Sequence, residues 1–421
     1  MIFKKISLNY ITNFIWNLSD KLFDRALLGL SIIIISRYFG PELFGIWTLY
    51  FSVAMLIFPV LQSGLIPEVV KRLMAVENKS KILSSTLALK FLLYTVFMSI
   101  LVGLSFLLHE NLQQIKVQLL FGLAFFPLIF ETNSAYFLSL YRSNSLLIAS
   151  AARYIFYFSG IFFLIFLDIK QLEYFISLLF LNNLMYVATL LIFMKADGIV
   201  LDLRQTNKEL ARGIFTNAIP FFVAGFLLNF FSYAPKILIG QNYGPIELAL
   251  YNASFQIVNL GWILPRSLSQ SLLPILFEKK DSSQIQSNTY LLIFLGSSIL
   301  CIFIYFFSEQ IILLLFGKEY LAASDFLKIH IWIVILASMN VFSQAIMLKE
   351  RLFLKAILKS LFGLLICSIF LIIFVELQIE GIILSLFAGY ISMEVVFDIF
   401  MNNDSSIKRS KINAIKKLFH I

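Results

Sequence analysis

Apolar residues run along this chain in long blocks, separated by short polar turns that carry glycine, proline and most of the charge. None of the blocks alternates with the period of two that marks a half-buried strand. A bilayer core is crossed by about 20 apolar residues. The chain divides into twelve such stretches, at 11–36, 43–65, 83–108, 117–138, 150–167, 173–194, 214–239, 248–275, 289–307, 327–348, 357–375 and 381–400. In lipid every backbone polar group needs an internal partner, and segments this continuously apolar satisfy that as helices. The pattern predicts an all-α integral membrane protein with twelve transmembrane helices and both termini on one side.

The pattern also repeats. Phe39-Gly40-Pro41-Glu42-Leu43 follows the first stretch as Tyr243-Gly244-Pro245-Ile246-Glu247 follows the seventh, at an offset of 204 residues. The same offset aligns Asn13 with Asn217 and Gln62 with Arg266. Each half then holds six spans, and an even number keeps both halves in one orientation, related by an axis along the membrane normal. Transporters built this way bind substrate near midplane between the halves. The expected domains are an N-terminal six-helix bundle, 1–200, a C-terminal six-helix bundle, 201–400, and a basic cytoplasmic tail, 401–421. Pro59, Pro127, Pro220, Pro235, Pro265 and Pro274 lie in or near spans, where each removes a backbone hydrogen bond and can bend its helix.

Composition narrows the class. Of 421 residues 60% are hydrophobic and only 14% charged, against about a quarter charged in an average soluble domain. That excludes a soluble enzyme, a disordered chain and a disulfide scaffold. The net charge of +9 is a topology signal first. Of 33 Lys and Arg, 23 fall on the side carrying both termini and four (Arg37, Lys116, Lys170 and Lys318) on the other, so the termini are expected to be cytoplasmic. No nucleic-acid partner is needed to account for the excess. Cys301 and Cys367 form no CxxC pair and read as small apolar fillers. The three histidines show no metal spacing, and no GxxxxGK[ST] run suggests ATP hydrolysis. Met1–Asp20 starts basic but lacks an A-x-A-like cleavage site, and reads as retained.

Function then rests on the polar residues inside spans, which are costly in lipid and face a bundle interior or a wet cavity. In span one, Asn13, Asn17, Asp20, Lys21, Asp24 and Arg25 share an arc of about 140° at 100° per residue. Two accounts fit: a cavity-facing stripe, or side chains snorkelling to headgroups from a helix that starts in the interface. Asp24 is in reach of Lys21 at i−3. In span eight Asn252, Asn259, Arg266 and Gln270 form a narrow stripe, either ligand-facing or an interhelical hydrogen-bond seam. Span seven carries Asn229, Ser232, Tyr233 and Lys236 on one face, with Lys236 near the outer end and placed to snorkel. Glu131 in span four fits two roles, binding a coupling proton or cation, or pairing with a buried cation such as Arg25. Lys90 reads as a snorkelling residue, Lys328 and His330 as interfacial, and Glu394 and Asp398 as last-turn residues of span twelve. Deep cations outnumber anions, which suits an anionic headgroup such as a phosphate or pyrophosphate.

Ser36-Arg37-Tyr38-Phe39-Gly40-Pro41-Glu42-Leu43-Phe44-Gly45 resembles the "RyLGpeeyG" stretch of bacterial polysaccharide repeat-unit (O-antigen or capsule) flippases. These belong to the multidrug/oligosaccharidyl-lipid/polysaccharide (MOP) exporter superfamily. Leu315-Phe316-Gly317-Lys318-Glu319-Tyr320 with Ala322-Ala323 is similar to that family's "lfG-eY--A" turn, and Gly64-Leu65 to its "sxGl" turn. The resemblance implies a MATE-like fold and a flippase in the bacterial inner membrane. Its substrate would be an undecaprenyl-pyrophosphate-linked oligosaccharide, moved to the outer leaflet by alternating access. It implies no cofactor, sodium or proton coupling with Asp24 or Glu131 as coupling sites, and work beside the polysaccharide polymerase and chain-length machinery of the lipopolysaccharide or capsule pathway. Arg25 and Arg266 match best the basic residues that receive pyrophosphate in relatives, with Lys21 and Lys236 next. Asn252, Asn259, Gln270, Gln62 and Asn229 would line the cavity. Span two offers Gln62 but no arginine, which departs from a clamp with equal contributions from both bundles.

Other polytopic classes fit the sequence less well. An integral O-antigen polymerase or glycosyltransferase needs a sizeable outer loop, and the longest, 308–326, is about twenty residues. A MATE-type drug/cation antiporter would place more carboxylates and fewer arginines in its cavity. A lipid II flippase would normally carry two more spans.

Overall fold

A computed structural model of the chain describes residues 8–262 and 283–418, apart from 63, 76–77, 109–110, 351 and 402–405. The described residues form helices and turns, with no strand among them. In chain order the helices are α1 (Leu8–Gln62), α2 (Leu65–Ala75), α3 (Lys79–Leu108), α4 (Leu112–Ala124), α5 (Ser134–Ser139), α6 (Ser143–Phe166), α7 (Leu172–Ala196), α8 (Lys208–Asn242) and α9 (Pro245–Gly261). There follow α10 (Ser283–Phe306), α11 (Ser308–Leu315), α12 (Ala323–His330), α13 (Ile333–Lys349), α14 (Phe353–Ile373), α15 (Gln378–Ile391) and α16 (Ser406–Leu418). A 3₁₀ segment, Phe126–Asn133, joins α4 to α5, and a π-helical segment, Ser392–Met401, continues α15.

Among the described residues, eight helices are long and apolar enough to cross a membrane, or ten if two bent pairs each count as one span. The expected number was twelve. One difference is that the first of the eight is a single helical stretch from Ile15 to Ala75, 61 residues. At 1.5 Å per residue that is about 90 Å, near three times the hydrocarbon thickness. It is interrupted at Gly40, whose φ of 74° and ψ of 173° are open essentially to glycine alone. Another is that the expected span 248–275 is described only as α9. The apolar faces of the helices point outward as they do in lipid. On α14 Leu354, Leu358, Leu361, Leu365, Ile369 and Ile372 form one exposed stripe at i, i+3 and i+4 spacing.

The two glycine–proline turns share one conformation. Gly244 has φ 97° and ψ 176°, and Pro245 then opens α9 at its first position, where proline loses no helical hydrogen bond. Gly45 packs so closely against Pro245 that an added Cβ would lie 1.8 Å from the Pro245 carbonyl oxygen. Pro220 also acts as expected. Lys208–Pro220 and Gly225–Asn242 are bent by 52°.

The chain separates into two compact units, Met1–Phe39 with Ile46–Ile237, and Gly40–Gly45 with Leu238–Ile421. In the first unit α1 and α6 run parallel, in constant register. Asn13 accepts from the Ser143 amide at 2.9 Å, Asp20 from the Ser150 hydroxyl at 2.6 Å, and Asp24 from the Tyr154 hydroxyl at 2.8 Å. Tyr38 donates to Asp168 at 3.2 Å. All four pairs are 130 residues apart in sequence. At one end of this unit Leu65, Val69, Ala135, Phe137, Leu190 and Ile214 form a tight apolar core. The second unit has a core of Tyr290, Ile293, Phe342, Ile346 and Met347 that also takes in Ile407 and Ala414 of α16.

Candidate functional site

The polar arc of α1 divides in two. Asn13, Asp20 and Asp24 lie about 40° apart on the helix at heptad-like spacing, so they face one neighbour, α6. Lys21 and Arg25, rotated by a further 80–100° or so, are exposed. The ion pair of Asp24 among the described residues reaches across to α6 rather than along α1 to Lys21. Asp24 pairs with Arg153 of α6, and both Tyr154 and Arg153 converge on its Oδ1 atom. The Arg153 guanidinium lies 4.9 Å from the Tyr154 ring centroid and 4.5 Å from that of Tyr186 on α7. A planar cation between two aromatic faces is well held in a low-dielectric bundle. Tyr186 in turn lies within electrostatic reach of Asp20, Asp24 and Glu131.

Arg153 is absent from the expected site because it sits at the edge of an apolar run, where it reads as a loop cation. The signal was present as Ser150, Arg153, Tyr154 and Tyr157 at i, i+3, i+4 and i+7. That is one helix face.

The second feature of the same unit is Tyr233 of α8, with Lys236 buried beside it and Arg25 exposed. Arg25 lies within electrostatic reach of Tyr233 on α8, and the Lys236 Nζ lies 5.2 Å from the Tyr233 ring centroid. Phe51 of α1 packs edge to face with that ring, centroid to centroid at 6.5 Å. Asn229, one turn earlier, donates to the Met55 carbonyl at 2.9 Å and so ties α8 to α1. Lys236 is 3% exposed. Its ammonium stays inside the bundle, which corrects the snorkelling account. The bend at Pro220 and the bond at Asn229 turn this face of α8 inward.

The remaining expected residues are scattered. Gln62 is exposed at the last position of α1. Lys90 does not snorkel either. It is buried, and donates to the Leu61 carbonyl at 2.8 Å, where the C-terminal end of α1 has free acceptors and a negative dipole. Glu131 is half-buried in the 3₁₀ segment and acts on Lys90, and no ion pair joins it to Arg25 among the described residues. In the second unit Asn252 is buried and accepts from Gln256 at 3.4 Å, while Asn259 is half-buried. Arg266 and Gln270 lie outside the described residues. His330 is buried rather than interfacial, stacked on Tyr251 at 5.2 Å with Ser254 Oγ 3.2 Å from its Nδ1. Lys328 stays at the surface, paired with Glu309 and Asp325 at 3.1 Å each. Cys301 is buried and Cys367 half-buried, both as free thiols.

Glu394 and Asp398 are more than last-turn residues. They are buried with Lys359 of α14 and Lys411 of α16 in a four-membered ionic cluster. Two lysines that read as loop and tail charges thus belong to the interior.

The sequence profile of a family described as "Polysaccharide biosynthesis protein" matches residues 11–280, well over half of the chain. The chain belongs to the polysaccharide biosynthesis protein family. Among solved structures, the lipid II flippase MurJ in an inward closed conformation superimposes with a TM-score of 0.67 at 15% identity, over 96% of this chain and 91% of that one. A MATE protein in a bent conformation gives 0.65 at 14% identity over 97% of both chains, and the eukaryotic MATE transporter AtDTX14 gives 0.65 at 13% over 96% and 98%. These likenesses carry the fold, one shared with MurJ and MATE proteins. No curated protein matches the sequence.

Proposed function

We propose that the chain is a flippase for an undecaprenyl-pyrophosphate-linked oligosaccharide, the repeat unit of an O-antigen or capsule, carried across the bacterial inner membrane by alternating access. The observation that carries this reading is the Lys236 ammonium, buried in a bundle of apolar helices 5.2 Å from the Tyr233 ring centroid, with the exposed Arg25 guanidinium acting on the same tyrosine. An ammonium held in such surroundings is a strong partner for a pyrophosphate, and the phenol offers a hydrogen-bond donor beside it. Membership of a polysaccharide biosynthesis family supports a sugar-bearing cargo. The MurJ-like fold supports a lipid-linked one.

In this reading twelve helices form two six-helix halves, both termini are cytoplasmic, and Arg266 adds a third cation from span eight. Lys21, exposed one turn before Arg25, guides the headgroup inward. Gln62, Asn252, Asn259 and Gln270 meet the sugars. Glu131, rather than the Arg153-paired Asp24, couples transport to sodium or protons, and the product is handed to the polymerase and chain-length machinery. The Arg153 counter-charge on Asp24 weighs against a MATE-type cationic drug as cargo, because the carboxylate is already neutralised.

The test is complementation of a bacterial strain lacking its own repeat-unit flippase. Restored surface polysaccharide and loss of the lipid-linked intermediate that accumulates inside support the assignment. Export of cationic dyes with no restored polysaccharide overturns it.

A further inference from the structure

The four-membered cluster at the end of the second unit joins the C-terminal helix to the transmembrane core. Lys359 Nζ lies 2.5 Å from Glu394 Oε1 and 2.6 Å from Asp398 Oδ2. Lys411 Nζ lies 2.6 Å from the same Asp398 oxygen, donates to the Glu394 carbonyl at 2.9 Å, and pairs with Glu394 Oε2. All four side chains are at most 2% exposed. Asn340 donates to Glu394 at 2.8 Å and Ser343 at 3.1 Å, both from α13. Tyr290 of α10 lies under the Lys411 ammonium at 5.3 Å and bonds Ser343 at 2.9 Å. Tyr390 of α15 and Glu350, just past α13, complete the titratable groups that act on this site.

Three of the four charges come from transmembrane helices and one from α16. With Lys411 in place the cluster is neutral, two ammonium groups against two carboxylates. Without it, Lys359 faces both carboxylates alone and one net negative charge stays buried, an arrangement that protein interiors do not tolerate uncompensated. α16 is also held by packing and polar contacts along α10. Ile407 and Ala414 enter the core, Ser410 donates to Gln286 at 2.8 Å, Lys417 to Asn288 at 2.6 Å, and Ser406 to Glu350. One oxygen is in reserve. Asp398 Oδ1 is buried with no hydrogen-bond partner among the described residues.

We propose that α16 is a releasable strap whose undocking requires the Glu394–Asp398 pair to take up one positive charge, a proton or a monovalent cation, in place of the Lys411 ammonium. In the proton case Lys411 leaves as an ammonium, one proton adds to an Asp398 oxygen, and the remaining Lys359–Glu394 pair is neutral. In the cation case the ion takes the vacated position between the carboxylates. Either way the state of the strap reports the charge of span twelve, which gives the bundle a switch independent of its cargo.

The test reads the strap directly and does not depend on transport. A nitroxide is attached at Asn413→Cys, exposed on α16, in full-length protein with Cys301 and Cys367 replaced by serine. Its spectrum separates docked from mobile helix. One-proton linkage predicts a mobile-to-docked ratio that rises up to tenfold per pH unit as pH falls. Cation linkage predicts the same rise per tenfold sodium, exchanged against choline at fixed pH. The Lys411→Met/Asp398→Asn variant is neutral docked or undocked, so it keeps a balanced interior. It is expected to be largely mobile and insensitive to both titrations. A wild-type ratio that moves with neither pH nor sodium overturns the proposal. So does a double variant that still follows either one.

Discussion

Asp24 on α1 accepts a hydrogen bond from the Tyr154 hydroxyl on α6 at 2.8 Å, and pairs with Arg153 through the same oxygen. The contact is one rung of a ladder that begins at Asn13–Ser143 and ends at Tyr38–Asp168. It fixes which side of α1 packs against α6.

Arg153→Ala leaves Asp24 without its counter-charge and Tyr186 without its stacked guanidinium. Breaking a fully buried pair costs roughly 3–5 kcal/mol, and a partly exposed Asp24 brings the expected loss to about 2 kcal/mol. Thermal unfolding in detergent should show a lowered midpoint. The Arg153→Met/Asp24→Asn double variant should recover part of it, because no charge is then left alone. A double variant less stable than Arg153→Ala would contradict the pairing.

Lys90→Met removes a buried ammonium that caps the end of α1 at Leu61. The methionine keeps the volume, so the expected change comes from the lost charge-assisted bond, about 2 kcal/mol. The Gly64 turn beyond it, with φ of 59°, should become more open to protease. Unchanged cleavage and unchanged stability would show that the contact is dispensable.

Gly45→Ala sets a methyl group against the Pro245 carbonyl, and backbone cannot move aside as a flexible side chain does. Overpacking of this kind costs roughly 3 kcal/mol. Gly40→Ala is expected to cost about 2 kcal/mol by a different route, because its φ of 74° with ψ of 173° strains any residue with a Cβ. Both should lower the yield of folded protein, and wild-type yield from Gly45→Ala would refute the close approach.

The sequence carried the helical class, the glycine–proline repeat and the polar arc of α1, because hydropathy and 100° periodicity act within one segment. Partnership was not legible. A helical wheel shows that Asn13, Asp20 and Asp24 share a face with Arg25, but it does not say that α6 covers part of that face. Arg153, Lys359 and Lys411 were read by their position beside apolar runs, as topology charges. Their burial depends on neighbours far along the chain: Asp24 for Arg153, and Glu394 with Asp398 for the two lysines. The tail helix did leave a trace, since Ile407, Ser410, Lys411 and Ala414 fall at i, i+3, i+4 and i+7. Five basic residues after position 401 masked it as a solvated tail.

Arg25→Ala and the volume-conserving Lys236→Met are each expected to abolish surface polysaccharide while leaving membrane levels of the protein near wild type. Arg25 is exposed, so its loss leaves no hole in the packing. Lys236→Arg should keep measurable activity, whereas Lys236→Met should not, because the role is charge and not volume. Immunoblotting beside polysaccharide staining separates lost transport from lost protein.

The most direct measurement is translocation itself. Purified protein is reconstituted with a labelled undecaprenyl-pyrophosphate oligosaccharide, and an added glycosidase reports how much substrate reaches the outer leaflet of the vesicles. The account predicts that wild-type protein exposes the inner pool and that the Arg25→Ala/Lys236→Met variant does so at least tenfold more slowly. Equal rates for the two proteins, or a wild-type rate no faster than protein-free vesicles, would contradict it.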